Sequence, residues 1–126
     1  MFPTAQFEDR RFVPLSIAVI AVSDTRTLET DTGGALLRSL LEADGHRCFE
    51  RQVVRDDIAQ IRGAVQAYAA NPDVDVILTT GGTGFSGRDV TPEAIEPLFD
   101  KRMEGFSVLF HQYSATTVGT STIQSR

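Results

Sequence analysis

Apolar and polar residues alternate in blocks along this chain of 126 residues. Residues 17–22 form a continuous apolar run, which is typical of a strand covered on both faces. Residues 48–54 form a weaker run, and residues 74–79 form a third. The pattern therefore predicts three strands, each followed by a polar loop.

Between the strands, the apolar positions recur at helical spacing. Over Thr32–Ala43 they form a stripe that closes at Gly45, a usual C-terminal stop. A second amphipathic helix is predicted by apolar residues spaced 3, 4 and 3 apart, namely Ile58, Ile61, Val65 and Tyr68.

Two more helices are predicted after the third strand. Thr91, Pro92 and Glu93 indicate a helix start, with Thr91 as the N-cap and proline at the first helical position. Residues 105–119 predict a last helix with one apolar face, made of Phe106, Leu109, Phe110 and Tyr113. Strands that alternate with helices predict an α/β fold, a three-layer sandwich around a mainly parallel sheet. Residues 1–14 are interpreted as an N-terminal extension, and residues 15–126 as the domain.

The composition excludes several classes of protein. No stretch approaches the roughly 20 apolar residues that span a bilayer, and residues 1–11 lack the apolar segment of a signal peptide, so we expect a cytoplasmic protein with no membrane partner. A single cysteine, Cys48, excludes an internal disulfide framework. With 12 basic and 17 acidic residues the net charge is −5, which argues against a nucleic-acid partner.

The strongest candidate for chemistry follows the third strand, where four of the ten glycines lie between Gly81 and Gly87. Glycines leave backbone N–H groups open to an anion. A tight turn that needs positive φ explains one glycine, but four within seven residues favour a phosphate-binding loop. The candidate ligand-binding residues of this glycine loop (residues 79–89) are Thr80, Gly81, Gly82, Thr83, Gly84, Ser86 and Arg88.

Two familiar phosphate motifs fit this loop poorly. The P-loop pattern fails because no lysine follows the glycines. The dinucleotide pattern G-x-G-x-x-G is present at residues 82–87, but it follows the third strand instead of the first. A nicotinamide-dependent dehydrogenase is therefore disfavoured.

Carboxylates follow each predicted strand. Asp89 ends the glycine loop, where an acid beside a bound phosphate points to Mg²⁺; the alternatives are a loop cap or a pair with Arg88. One of Asp56 and Asp57 is expected to cap the second helix, which leaves the other free. Asp24 either binds a polar heterocycle or forms an Asx-turn. Because ligands bind beyond the carboxyl ends of parallel strands, the three loops (residues 23–31, 54–57 and 79–89) are predicted to form one site.

The remaining candidates have simpler interpretations. His46 and His111 have no partner nucleophile in the sequence and are interpreted as structural or surface residues, and Cys48 as a small apolar residue of a strand. Phe2, Phe7 and Phe12 either anchor the extension to a partner subunit or belong to a partly disordered tail.

Four segments resemble the molybdenum cofactor biosynthesis proteins of the MoaB/MogA type. They are residues 17–26 (IAVIAVSDTR), 53–57 (VVRDD), 77–94 (ILTTGGTGFSGRDVTPEA) and 119–126 (GTSTIQSR). The similarity runs in register from about Leu15 to the last residue.

The resemblance implies a molybdopterin-binding domain that assembles as a trimer or a dimer of trimers and works with other molybdenum cofactor biosynthesis proteins. Its activity would be adenylylation of molybdopterin by Mg-ATP, with release of pyrophosphate. By motif position, Asp56 and Asp89 match the catalytic acids, with Asp89 as the candidate Mg²⁺ ligand. The glycine loop would hold the nucleotide phosphates or the dithiolene end of the substrate. Ser114 and Ser125 match the positions at which the family binds the pterin. Ser23 and Asp24 match the loop after the family's first strand.

Four departures qualify what the resemblance implies. Arg55 stands where many adenylyltransferases have proline, and Gly87 stands at a position where the residue varies among those enzymes. The ending is closer to the B-type branch, for which a non-catalytic molybdopterin-binding or scaffold protein is the alternative; retention of both Asp56 and Asp89 favours activity. Family members continue past the Ser-Arg pair with a strand, a Pro-Gly-rich loop and a helix, so we expect this chain to be truncated at its C-terminus.

Overall fold

A three-stranded parallel sheet forms the centre of the computed structural model, which describes residues 11–119 and 126. The strands are β1 (Ser16–Val22), β2 (Arg47–Val54) and β3 (Val76–Thr80), in the order β2-β1-β3. All seven residues of β1 are buried, as the continuous apolar run predicts. The strand β3 begins two residues later than predicted. Just before it, Asp75 bonds Ser16 of β1 through both its N–H and its carboxylate, at 2.8 Å each.

Helices cover both faces of this sheet. The first two are α1 (Thr32–Ala43) and α2 (Ile58–Ala69), close to their predicted bounds. Successive side chains of a strand point to opposite faces, and β1 accordingly divides its residues between two apolar clusters. Ile17 and Val19 pack with Leu41 of α1, whereas Ile20 packs with Ile61 of α2. The predicted three-layer α/β sandwich is therefore confirmed.

The helix after β3 begins one residue earlier than predicted. The helix α3 (Thr91–Ile95) is followed by a 3₁₀ turn (Glu96–Leu98). Val90 is the N-cap, and Thr91 is the first helical residue, so the prediction of Thr91 as N-cap was wrong. The buried Thr91 hydroxyl instead donates to the carbonyl oxygen of Gly81 at 3.0 Å, because the glycine loop folds back onto it.

The last helix, α4 (Glu104–Val118), is present as predicted but contributes no buried residue. Its predicted apolar face is exposed in this chain, with Phe106 67% and Tyr113 80% accessible. Within residues 11–119, no strand follows β3, and no helix has the length and apolar character needed to cross a membrane.

The N-terminal extension is described only from residue 11, so Phe2 and Phe7 lie outside the described residues. The ring of Phe12 lies 5.1 Å from that of His46. His46 Nδ1 accepts a hydrogen bond from the N–H of Leu15 at 3.0 Å. His46 therefore has the structural role that its sequence context indicated.

Candidate functional site

The three polar loops meet at one end of the sheet. The chain leaves β1 towards the α1 face and leaves β3 towards the α2 face, so the strand order reverses between β1 and β3, where open α/β sheets bind their ligands. Asp24, directly after β1, joins the loops: its Oδ1 accepts from the N–H of Asp56 at 3.1 Å, and its carboxylate also bonds Arg88. Residues from all three strand ends thus contact one another.

The Asp24–Arg88 pair is a two-pronged ion pair. Nε and Nη2 of Arg88 each donate to Asp24 at 2.9 Å, one to each carboxylate oxygen. This contact holds the pKa of Asp24 below its ordinary value and raises the pKa of Arg88. Ser23, not Asp24, makes the local turn, because its hydroxyl accepts from the N–H groups of Thr25 and Arg26 at 3.2 and 3.0 Å.

Gly81 and Gly82 adopt the left-handed region, with φ of 94° and 70°. A Cβ on Gly81 would overlap the carbonyl oxygen of Val22, and one on Gly82 would overlap the Thr91 hydroxyl. The tight-turn interpretation is therefore correct for these two glycines. It does not exclude anion binding, since within the described residues the N–H groups of Gly82, Thr83 and Gly84 have no acceptor.

Asp56 and Asp89 both lie against this loop. A Cβ built on Gly82 would be 3.2 Å from Oδ1 of Asp56, and one built on Gly84 would be 2.8 Å from Oδ2 of Asp89. Oδ2 of Asp89 accepts from the N–H of Ser86 at 3.0 Å, so Asp89 caps the loop and does not pair with Arg88. Both carboxylates thus lie close to the glycines whose N–H groups have no acceptor among the described residues.

Asp57 caps α2 by accepting from the N–H of Gln60 at 2.9 Å, which leaves Asp56 as the free acid. Partial burial raises the pKa of Asp56, and the negative charges of Asp24 and Asp89 raise it further. The site therefore carries negative charge that the described residues do not fully neutralise. Among the described residues, no group of three His, Cys, Asp or Glu side chains could hold a metal ion. Mg²⁺ would therefore need ligands in addition to these side chains.

A cavity of about 230 Å³ opens beside the glycine loop, lined by Ser23, Arg26, Thr80 and Gly81 and by Gly33 at the start of α1. A neighbouring cavity of about 430 Å³ lies between the first and second loops, lined by Asp24 and Arg55 among others. Three of the predicted ligand-binding residues, Ser23, Thr80 and Gly81, thus share one concave surface. Ser114 lies on α4, and no hydrogen bond of the described residues joins it to the loops; Ser125 lies outside them.

Arg126 is a residue of the site that the sequence did not single out. Its N–H and its Nε donate to the carbonyl oxygen of Thr83 at 3.1 and 3.3 Å, and Nη2 donates to that of Asp89 at 2.7 Å. It also forms an ion pair with Glu93 of α3, which lowers the pKa of that carboxyl. Arg126 therefore connects the glycine loop, at Thr83 and Asp89, to Glu93 of α3. The only signal for it was its place in the GTSTIQSR segment.

A family model described as "Probable molybdopterin binding domain" matches residues 18–126. The chain is 44% identical over 115 residues to molybdenum cofactor biosynthesis protein B of Escherichia coli (strain K12), covering 91% of this chain and 68% of that protein. It is 45% identical over 109 residues to the protein of the same name from Halalkalibacterium halodurans, covering 86% of this chain and 64% of the relative. The chain thus spans about two thirds of the length of these relatives.

Solved structures give the same picture. A crystal structure of molybdenum cofactor biosynthesis protein B superimposes with a TM-score of 0.87 at 42% identity, over 93% of this chain and 73% of that one. A tungsten cofactor synthesizing protein from Pyrococcus furiosus superimposes with a TM-score of 0.77 at 33% identity, over 90% and 70%.

Proposed function

The chain belongs to the family of molybdopterin-binding domains of molybdenum cofactor biosynthesis, and on that premise we propose that it binds molybdopterin and adenylylates it with Mg-ATP, releasing pyrophosphate. The observation that carries the proposal is the placement of the Asp56 and Asp89 carboxylates close to a glycine loop in which three N–H groups have no acceptor among the described residues. Such a loop suits phosphate groups, and the acids suit the cation that accompanies them.

Phosphate binding rests on the backbone and on Arg88. The N–H groups of Gly82, Thr83 and Gly84 have no acceptor among the described residues and would point their dipoles at a phosphate. Arg88 is held by Asp24, but its side chain is 68% exposed. Exposed ion pairs contribute little, about 0–1 kcal/mol, so Arg88 would exchange Asp24 for a phosphate oxygen at small cost.

The residues fit Mg²⁺ through Asp89 and Asp56, because both supply hard carboxylate oxygens beside the glycine loop. Mg²⁺ is usually bound by one or two carboxylates together with substrate phosphates, which matches a site with two acids at the loop. When bound, Mg²⁺ would neutralise part of the negative charge of the phosphates.

The reaction needs no nucleophilic side chain. An oxygen of the terminal phosphate of molybdopterin attacks the α-phosphorus of ATP, a new P–O bond forms, and the bond to pyrophosphate breaks. Such transfers depend on positioning and on charge stabilisation. In this proposal the glycine loop and Arg88 supply both, and the cavities beside Ser23 and Thr80 and beside Asp24 and Arg55 adjoin them.

The test is pyrophosphate release from Mg-ATP that depends on added molybdopterin. We expect Asp89→Asn to lower turnover by about 100-fold or more, a loss typical of removing one charge-stabilising group. Asp100→Asn, an exposed acid of the same chemistry outside the three loops, is the matched control and should turn over like the wild type. Wild-type turnover in Asp89→Asn would remove Asp89 from the mechanism.

A second candidate is a molybdopterin-binding or scaffold protein without catalysis. It is favoured by the engagement of Asp89 as a loop cap and of Arg88 with Asp24, which leaves neither group free in this structure. Molybdopterin binding without any adenylylated product would select it over the enzyme.

We also propose that copies of the chain assemble, as a trimer or a dimer of trimers, and that α4 lies in the contact. A 15-residue helix with no buried residue is marginal in water on its own, and its Phe106, Leu109 and Tyr113 are exposed. Sedimentation equilibrium tests this, and a single species of 13.8 kDa would contradict it.

A further inference from the structure

Phe85 stands at the tip of the glycine loop with 70% of its surface exposed. It lies between Gly84 and Ser86, directly beside the N–H groups that have no acceptor. Nothing in the packing of the fold requires an aromatic ring there, because Phe85 joins neither of the two apolar clusters. Binding residues are disproportionately found on loops, and an aromatic ring can stack on a flat ligand ring.

The ring is nevertheless held in position. On its C-terminal side, the N–H of Ser86 is fixed by Asp89 at 3.0 Å. The guanidinium carbon of Arg126 lies 5.3 Å from the ring centroid, within the range of a cation–π contact. Arg126 is itself fixed by the carbonyl oxygens of Thr83 and Asp89.

One face of the ring lies against the Arg126 guanidinium, and 70% of the surface of Phe85 remains exposed. An exposed aromatic face beside a phosphate-binding backbone matches a ligand that carries both an anionic group and a flat ring. A purely inorganic anion would use the backbone alone and gain nothing from Phe85.

We propose that Phe85 is a stacking contact for the planar nitrogen-containing ring of the ligand whose phosphates lie on the glycine loop. The proposal rests on the proposed function, in which both substrates carry such a ring, the adenine of ATP and the pterin of molybdopterin. Arg126 acts as a positioning residue that supports the ring from its other side.

The affinity of ring-bearing ligands should then depend on Phe85, whereas that of a ringless anion should not. Stacking on an aromatic side chain is worth enough to change a dissociation constant by roughly 5- to 100-fold. We expect Phe85→Leu to weaken ATP, an oxidised pterin, or both by that factor and to leave inorganic pyrophosphate unchanged. Phe85→Tyr keeps the ring and should bind like the wild type. Isothermal titration calorimetry measures all three probes without turnover.

The absence of tryptophan from the chain permits a direct readout. Phe85→Trp introduces one tryptophan, whose fluorescence we expect the ring-bearing probe to quench and pyrophosphate to leave unaltered. The matched control is Phe12→Trp, which replaces a similarly exposed phenylalanine, 62% accessible, that packs on His46 before β1. Its fluorescence should not respond.

The probe whose affinity falls in Phe85→Leu identifies the ring that stacks on Phe85. A loss for ATP alone indicates adenine, and a loss for the pterin alone indicates the pterin. Unchanged affinity of both in Phe85→Leu, with wild-type binding intact, overturns this inference and leaves the proposed function standing. Failure of the wild type to bind either probe overturns both. A change in sedimentation mass with unchanged ligand affinities would assign Phe85 to a contact between copies and also overturn the stacking role.

Discussion

Gly81 occupies a position that no other residue fits without strain. Its φ of 94° lies in the left-handed region, and a Cβ would meet the carbonyl oxygen of Val22 at the end of β1. The close approach of these two backbones brings the end of β3 against the end of β1, which is where the cavity beside Ser23 and Thr80 opens. The shape of the site therefore depends on the absence of a single methyl group.

We predict that Gly81→Ala lowers the free energy of unfolding by about 2 kcal/mol or more, because it adds left-handed strain to a steric overlap. Gly87→Ala is the matched control: Gly87 lies in the same loop without positive φ, and a Cβ there would meet nothing within 4 Å. Its effect should stay within about 0.5 kcal/mol. Urea unfolding followed by circular dichroism measures both. Equal stability of the two variants would contradict the assigned loop geometry.

At the scale of secondary-structure elements, a buried ion pair fixes the loop after β1. Asp31 is the N-cap of α1, with Oδ1 accepting from the N–H of Gly34 at 2.9 Å. Its Oδ2 binds Nη1 of Arg51 on β2 at 2.9 Å, and Arg51 also donates to the carbonyl oxygen of Leu28. One pair thus connects β2, the loop after β1 and the start of α1.

Removing one partner would leave the other charge buried. Asp31 is only 7% exposed and Arg51 15%, so Arg51→Ala should destabilise the fold by about 3 kcal/mol, near the lower end of the range for broken buried pairs. Arg38→Ala breaks the Arg38–Glu42 pair on the surface of α1 and should cost no more than about 0.5 kcal/mol. Thermal unfolding of the two variants, side by side, measures the difference. Similar losses in both would show that the Asp31–Arg51 pair does not hold the loop.

The elements β1, α1 and α2 were predictable because their apolar periodicity is local and strong. The role of Thr91 was not, since its hydroxyl partner is the carbonyl oxygen of Gly81, ten residues away. The Asp31–Arg51 pair and the contacts of Arg126 also join residues far apart in sequence. The order of strands and helices predicted that the three loops meet at one end of the sheet. It did not predict which partners Asp24 and Asp89 bind there, because those partners come from other parts of the fold.

At the scale of the whole molecule, the acids of the site and the apolar groove beside α2 lie on different parts of the surface. The loops with Asp24, Asp56 and Asp89 gather at the carboxyl ends of the strands. An apolar groove of about 530 Å³ opens instead between α2 and the 3₁₀ turn, lined by Val65, Leu98 and others. Ligand binding at the three loops would thus use a different surface from this apolar groove.

The central claim is that these three loops form one nucleotide- and molybdopterin-binding site. The most direct measurement is the crystal structure of the protein soaked with Mg-ATP. We expect density for the phosphates over the N–H groups of Gly82, Thr83 and Gly84, a cation beside Asp89, and Arg88 turned from Asp24 to a phosphate oxygen. Ordered ATP in the apolar groove beside α2, with the glycine loop unchanged and empty, would contradict the claim.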